Sequence, residues 1–259
     1  MYDIENYYNA STIKEAVDLL KEHPDARAIC GGSDVLIKIR EGKMAGTSLV
    51  SIRDIKEIQG VQLMDSDDIY IGAATTFSHI TADPVIQSRI SVLGEAVDQV
   101  GGPQVRNIGT IGGNVCNGAV SADSAPTLFS LNAMLRIADG TGGRMVPIQD
   151  FYLGPGKVDL HQGDVLTHIV IPGKEYLGYH GYYIKYSMRN AMDIATLSCS
   201  VVSRIDREKN ILEDVRITFG VAAPVPYRCR KTEDALKGME IGDALYDKVE
   251  SLVREEINP

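Results

Sequence analysis

Tryptophan is absent from the 259 residues, and aromatic side chains of all kinds make up only 6%. That leaves little material for a platform on which bases or sugar rings could stack. Cysteine is sparse as well. Cys30, Cys116, Cys199 and Cys229 lie so far apart that no pair has the spacing of a zinc knuckle, a redox CxxC or a self-contained iron–sulfur loop. No apolar run approaches the roughly 18 residues of a membrane span. The opening Met1-Tyr2-Asp3-Ile4-Glu5 has neither the basic stretch nor the apolar core of a secretory signal. Positive charge is in deficit, with 26 Lys+Arg against 35 Asp+Glu and a net charge of -9, which argues against a general nucleic-acid binder and against adsorption to anionic membranes. The familiar nucleotide signatures are missing too. There is no GxxxxGK(S/T), and Gly140-Thr141-Gly142-Gly143 lacks the third glycine of a GxGxxG at the required spacing. The five histidines form no HExxH, and no GxSxG occurs. The expectation is a cytoplasmic globular protein without a metal centre and with no side chain that can be singled out as a catalytic acid, base or nucleophile. A chain this long buries a core without disulfides.

What is present reads as mixed α+β in three pieces. Ser11 is a candidate N-cap for a helix over 12–23 whose apolar face carries Ile13, Ala16, Val17, Leu19 and Leu20, stopped before Pro24. Ala26 to Cys30 reads as a buried strand, with further strands at Val35 to Ile39 and Thr47 to Ile52. A second piece opens with a strand at Ile69 to Ala74. It continues through a helix carrying Ile90, Leu93, Ala96, Val97 and Val100, ended by Gly101-Gly102-Pro103, and then an irregular, glycine-rich stretch to Gly118. Strands follow at Met134 to Ala138, Met145 to Ile148 and Val165 to Ile171, with Asp139-Gly140 as a turn. In the third piece Tyr182 to Met188, Thr196 to Ile205 and Asp214 to Val221 are β-rich, Arg204 to Glu213 is a solvated hairpin tip, and two helices close the chain. Three units are expected, over 1–57, 58–175 and 176–259.

Two glycine-rich sites stand out. In Ala28-Ile29-Cys30-Gly31-Gly32-Ser33-Asp34, paired glycines after a strand let backbone N–H groups turn toward an anion, and Ser33 adds a hydroxyl. An ordinary tight turn fits the same residues. The second site, Gly109-Thr110-Ile111-Gly112-Gly113-Asn114 followed by Val115-Cys116-Asn117-Gly118, is long enough to wrap a ligand, although a loop-rich β connection is the plainer alternative. A dinucleotide bound here would have its pyrophosphate shared between two loops on two subdomains.

These residues carry a resemblance. Cys30-Gly31-Gly32-Ser33-Asp34-Val35-Leu36 resembles the first flavin loop of the medium subunits of molybdenum hydroxylases, with Ser33 in place of the commoner threonine. Gln104-Val105-Arg106-Asn107 with Thr110 to Asn114 resembles their second loop. Asn117 to Ser124 and Phe219-Gly220-Val221-Ala222-Ala223-Pro224 are similar to the xanthine dehydrogenase branch. The match runs in order along essentially the whole chain. The resemblance implies the two-subdomain flavin fold of vanillyl-alcohol oxidase and PCMH type, followed by a C-terminal α+β domain like that of CO dehydrogenase flavoproteins. It implies FAD in this chain, molybdopterin on a large partner subunit and 2Fe-2S clusters on a small one, and NAD+ as acceptor.

Residue by residue, the resemblance places Arg27, Ala28, Ile29, Cys30, Gly31, Gly32, Ser33 and Asp34 against the FAD diphosphate, together with Thr110, Ile111, Gly112, Gly113 and Asn114. Asp123 would accept hydrogen bonds from ribityl or ribose hydroxyls, and Leu166 would lie against the flavin. Lys185 would sit near the isoalloxazine or the phosphates, where a cation raises the flavin potential. Arg189 to Asp193 matches the segment that controls acceptor access, and its neutral middle leaves NAD+ and oxygen both open. Val100 stands where some relatives have an aromatic residue. The chain ends at Pro259, short of the usual last segment, as a trimmed or naturally short form. A flavin subunit acting on nicotinate, CO or an aromatic acyl-CoA is the alternative within the family. A reductase of the UDP-N-acetylmuramate-forming type is the alternative outside it.

Overall fold

The computed structural model describes residues 2–257; Pro259, where the sequence reading placed a shortened end, lies outside them. The first unit runs β1 (Ile4–Asn9), α1 (Ile13–Glu22), β2 (Arg27–Ile29), α2 (Val35–Arg40) and β3 (Thr47–Ser51). Its three strands lie in the order β1-β3-β2, all parallel. Thr12 caps α1, not Ser11. Its Oγ1 accepts from the Glu15 N–H at 3.1 Å, while the Glu15 carboxylate reaches back to the Ser11 N–H at 2.7 Å. Ala16, Val17 and Leu20 on its inner face share a core with Val50 of β3.

Two expectations fail in this unit. Residues 35–39 form helix α2, not a strand. The glycine turn before them releases the chain into a right-handed coil, where Val35, Leu36 and Ile39 at helical spacing meet Ile29 and Leu49. The strand at 26–30 is not buried along its length. Arg27 and Ala28 are exposed, because β2 is the edge strand, while Ala26 and Ile29 are covered.

The second unit contains β4 (Val61–Leu63), β5 (Ile69–Gly72) and six helices: α3 (Phe77–Ala82), α4 (Pro84–Arg89), α5 (Ser91–Asp98), α6 (Pro103–Ile108), α7 (Ile111–Cys116) and α8 (Ser124–Ser130). Then come β6 (Met134–Ala138), β7 (Arg144–Pro147), α9 (Ile148–Phe151), the small hairpin β8 (Tyr152–Gly154) and β9 (Lys157–Val158), and β10 (Val165–Ile171). The main sheet is β4-β5-β10-β6-β7, antiparallel throughout. The stretch read as irregular up to Gly118 is in fact α6 and α7. Pro103 opens the first of these and Thr110 caps the second, devices that act over a single turn and leave little periodicity to read. Helix α8 is buried along its whole length.

The third unit is a meander, β11 (His180–Tyr186), β12 (Leu197–Asp206), β13 (Ile211–Gly220) and β14 (Tyr227–Arg228), with α10 (Arg230–Leu236) and α11 (Asp243–Glu256). Its strands alternate as a two-sided sheet should. Cys199, Val201, Ile217 and Phe219 join the core beneath α10 and α11. On the opposite face, Ser198, Ser200 and Thr218 lie buried on the side that packs against α8. Arg216 also faces that way, stacked 4.3 Å from the Tyr179 ring centre and paired with Glu175 at 3.0 Å. No helix among the described residues is long and apolar enough to cross a membrane.

Candidate cofactor site

The first glycine loop leaves β2 at Cys30. A Cβ on Gly31 would stand 2.1 Å from the Ile108 carbonyl oxygen, so only glycine lets the loop lie against the end of α6 in the neighbouring unit. Gly32 follows with φ +71, a left-handed turn that aims the chain into α2. Among the described residues, the backbone N–H groups of Gly31, Gly32, Ser33 and Asp34 find no acceptor in the protein. Four consecutive uncommitted donors on a concave turn are a ready receptor for an anion.

The second loop is built differently. The Ile111 N–H donates to the Thr75 carbonyl at 3.1 Å, Gly112 N–H to Ala73 at 2.9 Å, Gly113 N–H to the Thr110 hydroxyl at 3.2 Å, and Asn114 N–H to the Thr110 carbonyl at 3.0 Å. Gly112 is needed for packing, since a Cβ there would meet the Ala73 Cβ at 2.5 Å. Its donors are therefore already taken.

Between the loops lies a cleft of about 520 Å³. All eight residues of Arg27 to Asp34 line it, with Thr110, Gly113 and Asn114 opposite; Ile111 and Gly112 are buried behind that wall. The apolar part of the lining comes from Val35, Phe77, Val100 and Val105. A second cavity of about 420 Å³, lined by Arg53, Lys56 and His79 among others, shares Cys30 and Thr110 with the first.

Sequence reasoning missed Lys38 and its tie to Asn117 of the second loop. The Lys38 ammonium pairs with Asp34 at 2.6 Å and donates to the Asn117 side-chain oxygen at 2.9 Å, joining the two units at the cleft wall. The signal was its position four residues after Asp34, legible only once that segment is read as a helix.

Asp123, Leu166 and Lys185 do not line this cleft. Leu166 is 4% exposed, opposite Ile137 in the core of the main sheet. Asp123 and Lys185 form a buried ion pair at 2.9 Å, each side chain 6% exposed. The Tyr183 hydroxyl donates to the other carboxylate oxygen at 2.8 Å, and Lys185 also donates to the Gln99 carbonyl at 2.9 Å. Burial pushes the Asp123 carboxyl above the ordinary range, opposed by its hydrogen bonds to Lys185 and Tyr183. Burial likewise raises the Tyr183 phenol. The pair abuts the cleft through its neighbours. Ser124 donates to Asn114 at 2.7 Å, and Val100 follows Gln99. Lys185, which the resemblance places near the isoalloxazine or the phosphates, has its charge matched in place by Asp123.

The loop at 189–193 is tied by the Arg189 N–H to Asp193 at 2.8 Å, and Met192 (φ +53) packs toward Gly102 beside Val100. The thiols are unsuited to nucleophilic work. Burial raises Cys30 and pushes Cys116 up to about 12, leaving both protonated at neutral pH. Among the described residues, no three His, Cys, Asp or Glu side chains converge as a metal site.

The residues present fit a dinucleotide. The cleft has the size of a cofactor site, donors without a Cβ in the way, a nearby ammonium, and apolar walls at Val100 and Val105. Comparison with known proteins agrees. Residues 2–174 match the FAD binding domain in molybdopterin dehydrogenase, and residues 182–259 match the CO dehydrogenase flavoprotein C-terminal domain. The chain is 36% identical to the xanthine dehydrogenase FAD-binding subunit of Escherichia coli O157:H7, across all of this chain and 88% of that one. It is 27% identical to the nicotinate dehydrogenase FAD-subunit of Eubacterium barkeri, over 98% of this chain and 89% of the relative. The solved carbon monoxide dehydrogenase of Hydrogenophaga pseudoflava superposes with a TM-score of 0.93 at 27% identity, over 100% of this chain and 89% of that one. The chain belongs to the FAD-binding subunits of the molybdenum hydroxylases.

Proposed function

We propose that this chain is the flavin-carrying subunit of a xanthine dehydrogenase-like molybdenum hydroxylase. In this reading a large partner subunit oxidises its substrate at molybdopterin, a small partner relays electrons through 2Fe-2S clusters, and NAD+ is the final acceptor. FAD bound in the cleft supplies two-electron chemistry and hydride transfer that no side chain here provides. The chain's own work is to bind, orient and insulate.

The observation that carries the reading is the set of N–H groups at Gly31, Gly32, Ser33 and Asp34 that find no acceptor among the described residues, on a loop that lines the cleft. They receive the diphosphate as donors whose positions are fixed by the contact of Gly31 with Ile108. Lys38 offsets the Asp34 carboxylate beside the loop, while Thr110, Gly113 and Asn114 close the far wall. Asp123 and Lys185 support that wall from behind. The proposed units, 1–57, 58–175 and 176–259, divide this labour: the first gives the donors, the second the wall, the third the buried lysine and tyrosine. Support for partner subunits comes from edge strand β11, where the large apolar side chains of Tyr182, Ile184 and Tyr186 are exposed, as are those of Met188, Met192 and Ile194 in the segment that follows. The 36% identity to a xanthine dehydrogenase subunit favours that branch over the nicotinate and carbon monoxide branches.

The test is the visible spectrum of the complex purified with its partners, before and after anaerobic NADH. Flavin absorption that bleaches is the expected result. A flavin that ignores NADH would overturn the acceptor, and a colourless complex that takes up no added FAD would overturn the cofactor assignment.

A further inference from the structure

Behind the first glycine loop lies the second cavity, of about 420 Å³, which shares Cys30 and Thr110 with the cofactor cleft. One side of it follows a three-residue rhythm in the sequence, Ile52-Arg53-Asp54-Ile55-Lys56-Glu57-Ile58-Gln59. The backbone keeps the same rhythm. The Ile55 N–H donates to the Ile52 carbonyl at 3.4 Å, Ile58 N–H to Ile55 at 3.4 Å and Gln59 N–H to Lys56 at 3.2 Å, a pattern that stacks every third side chain on one face. Ile52, Ile55 and Ile58 turn into the core. Arg53, Lys56 and Gln59 line the cavity, while the carboxylates of Asp54 and Glu57 stay out of its lining. The segment is pinned in place. The Ala74 N–H donates to the Ile58 carbonyl at 2.8 Å, and the Thr75 hydroxyl bonds the Gly60 N–H at 2.9 Å and the Gly60 carbonyl at 3.0 Å.

A chain with a net charge of -9 thus carries a cavity lined by Arg53, Lys56 and His79 and by no carboxylate. The Arg53 guanidinium has no ion pair or hydrogen bond among the described residues. Lys56 has only the neutral Gln59 side chain, at 3.5 Å, and the His79 imidazole stands 3.6 Å from Asp83. We propose that this second cavity binds a small aliphatic phosphomonoester. Arg53 and Lys56 match the two charges of the phosphate, the guanidinium with a planar pair of N–H donors and the ammonium as a point charge. The Thr76 hydroxyl, whose oxygen accepts from the His79 N–H at 3.3 Å, keeps its own proton for a phosphate oxygen. Ala74 and Ile108 supply an apolar floor for the organic part. Phe and Tyr are missing from the lining, so the fit is to an aliphatic ester rather than to a nucleotide base. The site adds to the cofactor cleft and does not depend on which cofactor the cleft holds.

The test is isothermal titration calorimetry of the purified complex with glycerol 3-phosphate, after loading with FAD so that the donors of the first loop are occupied. Saturable binding at one site per copy of this chain is expected, with inorganic phosphate binding several-fold more weakly because it lacks the organic part. Arg53→Gln and Lys56→Gln are each expected to weaken the ester by roughly tenfold, as the loss of a charge-assisted contact does. Both side chains are exposed, so the variants are expected to fold as wild type does. Lys38→Met, which alters the first cleft, is expected to leave this titration unchanged. The absence of saturable binding overturns the proposal. So does binding that survives both substitutions, which would place the ester elsewhere in the complex. Inorganic phosphate that binds as tightly as the ester would overturn the role given to the apolar floor. A complex that takes up no FAD would overturn the flavin reading and not this one, since the Arg53 and Lys56 substitutions still report on the second cavity.

Discussion

Three glycine-rich turns in this chain look alike in sequence and differ in what their N–H groups do. At Gly31 to Asp34 the donors find no acceptor among the described residues, and the residues line the cleft. At Ile111 to Asn114 they are taken by Ala73, Thr75 and Thr110. At Asp139 to Gly143 they are occupied by an anion the chain carries itself, since the Asp139 carboxylate accepts from the Thr141 N–H at 2.7 Å and the Gly143 N–H at 3.0 Å. The last turn displays with a carboxylate what the first is free to do with a phosphate. Glycine content marks where backbone comes close to something. Only the accounting of donors says whether that something is a ligand or the protein itself.

The sharpest break in this comparison is a methyl group. Gly31→Ala drives a Cβ onto the Ile108 carbonyl at 2.1 Å, backbone against backbone. It is expected to cost about 3 kcal/mol in urea unfolding and to abolish FAD retention. Gly113→Ala meets only the Thr110 hydroxyl at 3.0 Å, and a helical alanine partly offsets that contact, so a change within about 1 kcal/mol is expected. Equal effects would erase the distinction between the loops.

Next in size is Lys38→Met, which removes the ammonium beside the first loop. FAD affinity is expected to fall by roughly tenfold, about 1.4 kcal/mol, in a fluorescence titration. Thr110→Val, by contrast, should cost about 1 kcal/mol of stability through the lost cap and leave affinity within about twofold.

The third turn gives a pH test. Hydrogen bonds from Thr141 and Gly143 hold the Asp139 carboxyl down at about 2, below the ordinary aspartate value of 3.8. Its folded value is depressed, so its contribution to stability is present above 3.8 and is lost as pH falls through about 2. A carboxyl NMR titration with a midpoint near 3.8 would mean the turn does not hold its anion.

The smallest effect is expected at the seam between α8 and the third unit, where the hydroxyls of Thr127 and Thr218 are buried without partners among the described residues. Thr218→Val should be neutral or stabilising by up to about 1 kcal/mol in thermal unfolding.

Both glycine-rich loops were legible in the sequence as motifs, and so was the C-terminal meander, whose strands alternate cleanly. What escaped was governed by geometry over one turn or over long range. Strand β1 was invisible because only Ile4 and Tyr8 are even half-buried on an edge strand. Helix α2 was read as a strand because Val35, Ile37 and Ile39 are strand formers by type, and tertiary packing overrode that preference. With α2 misread, Lys38 had no reason to point anywhere. The Asp123–Lys185 pair joins residues on two units, so neither its burial nor its neutrality could be read from local pattern.

Amide hydrogen exchange of the complex with and without FAD tests the central claim most directly. FAD is expected to slow exchange at Gly31, Gly32, Ser33 and Asp34 and to leave Ile111, Gly112 and Gly113, protected beforehand by their protein acceptors, unchanged. Slowing confined to the second loop, or none in the first, would contradict the account.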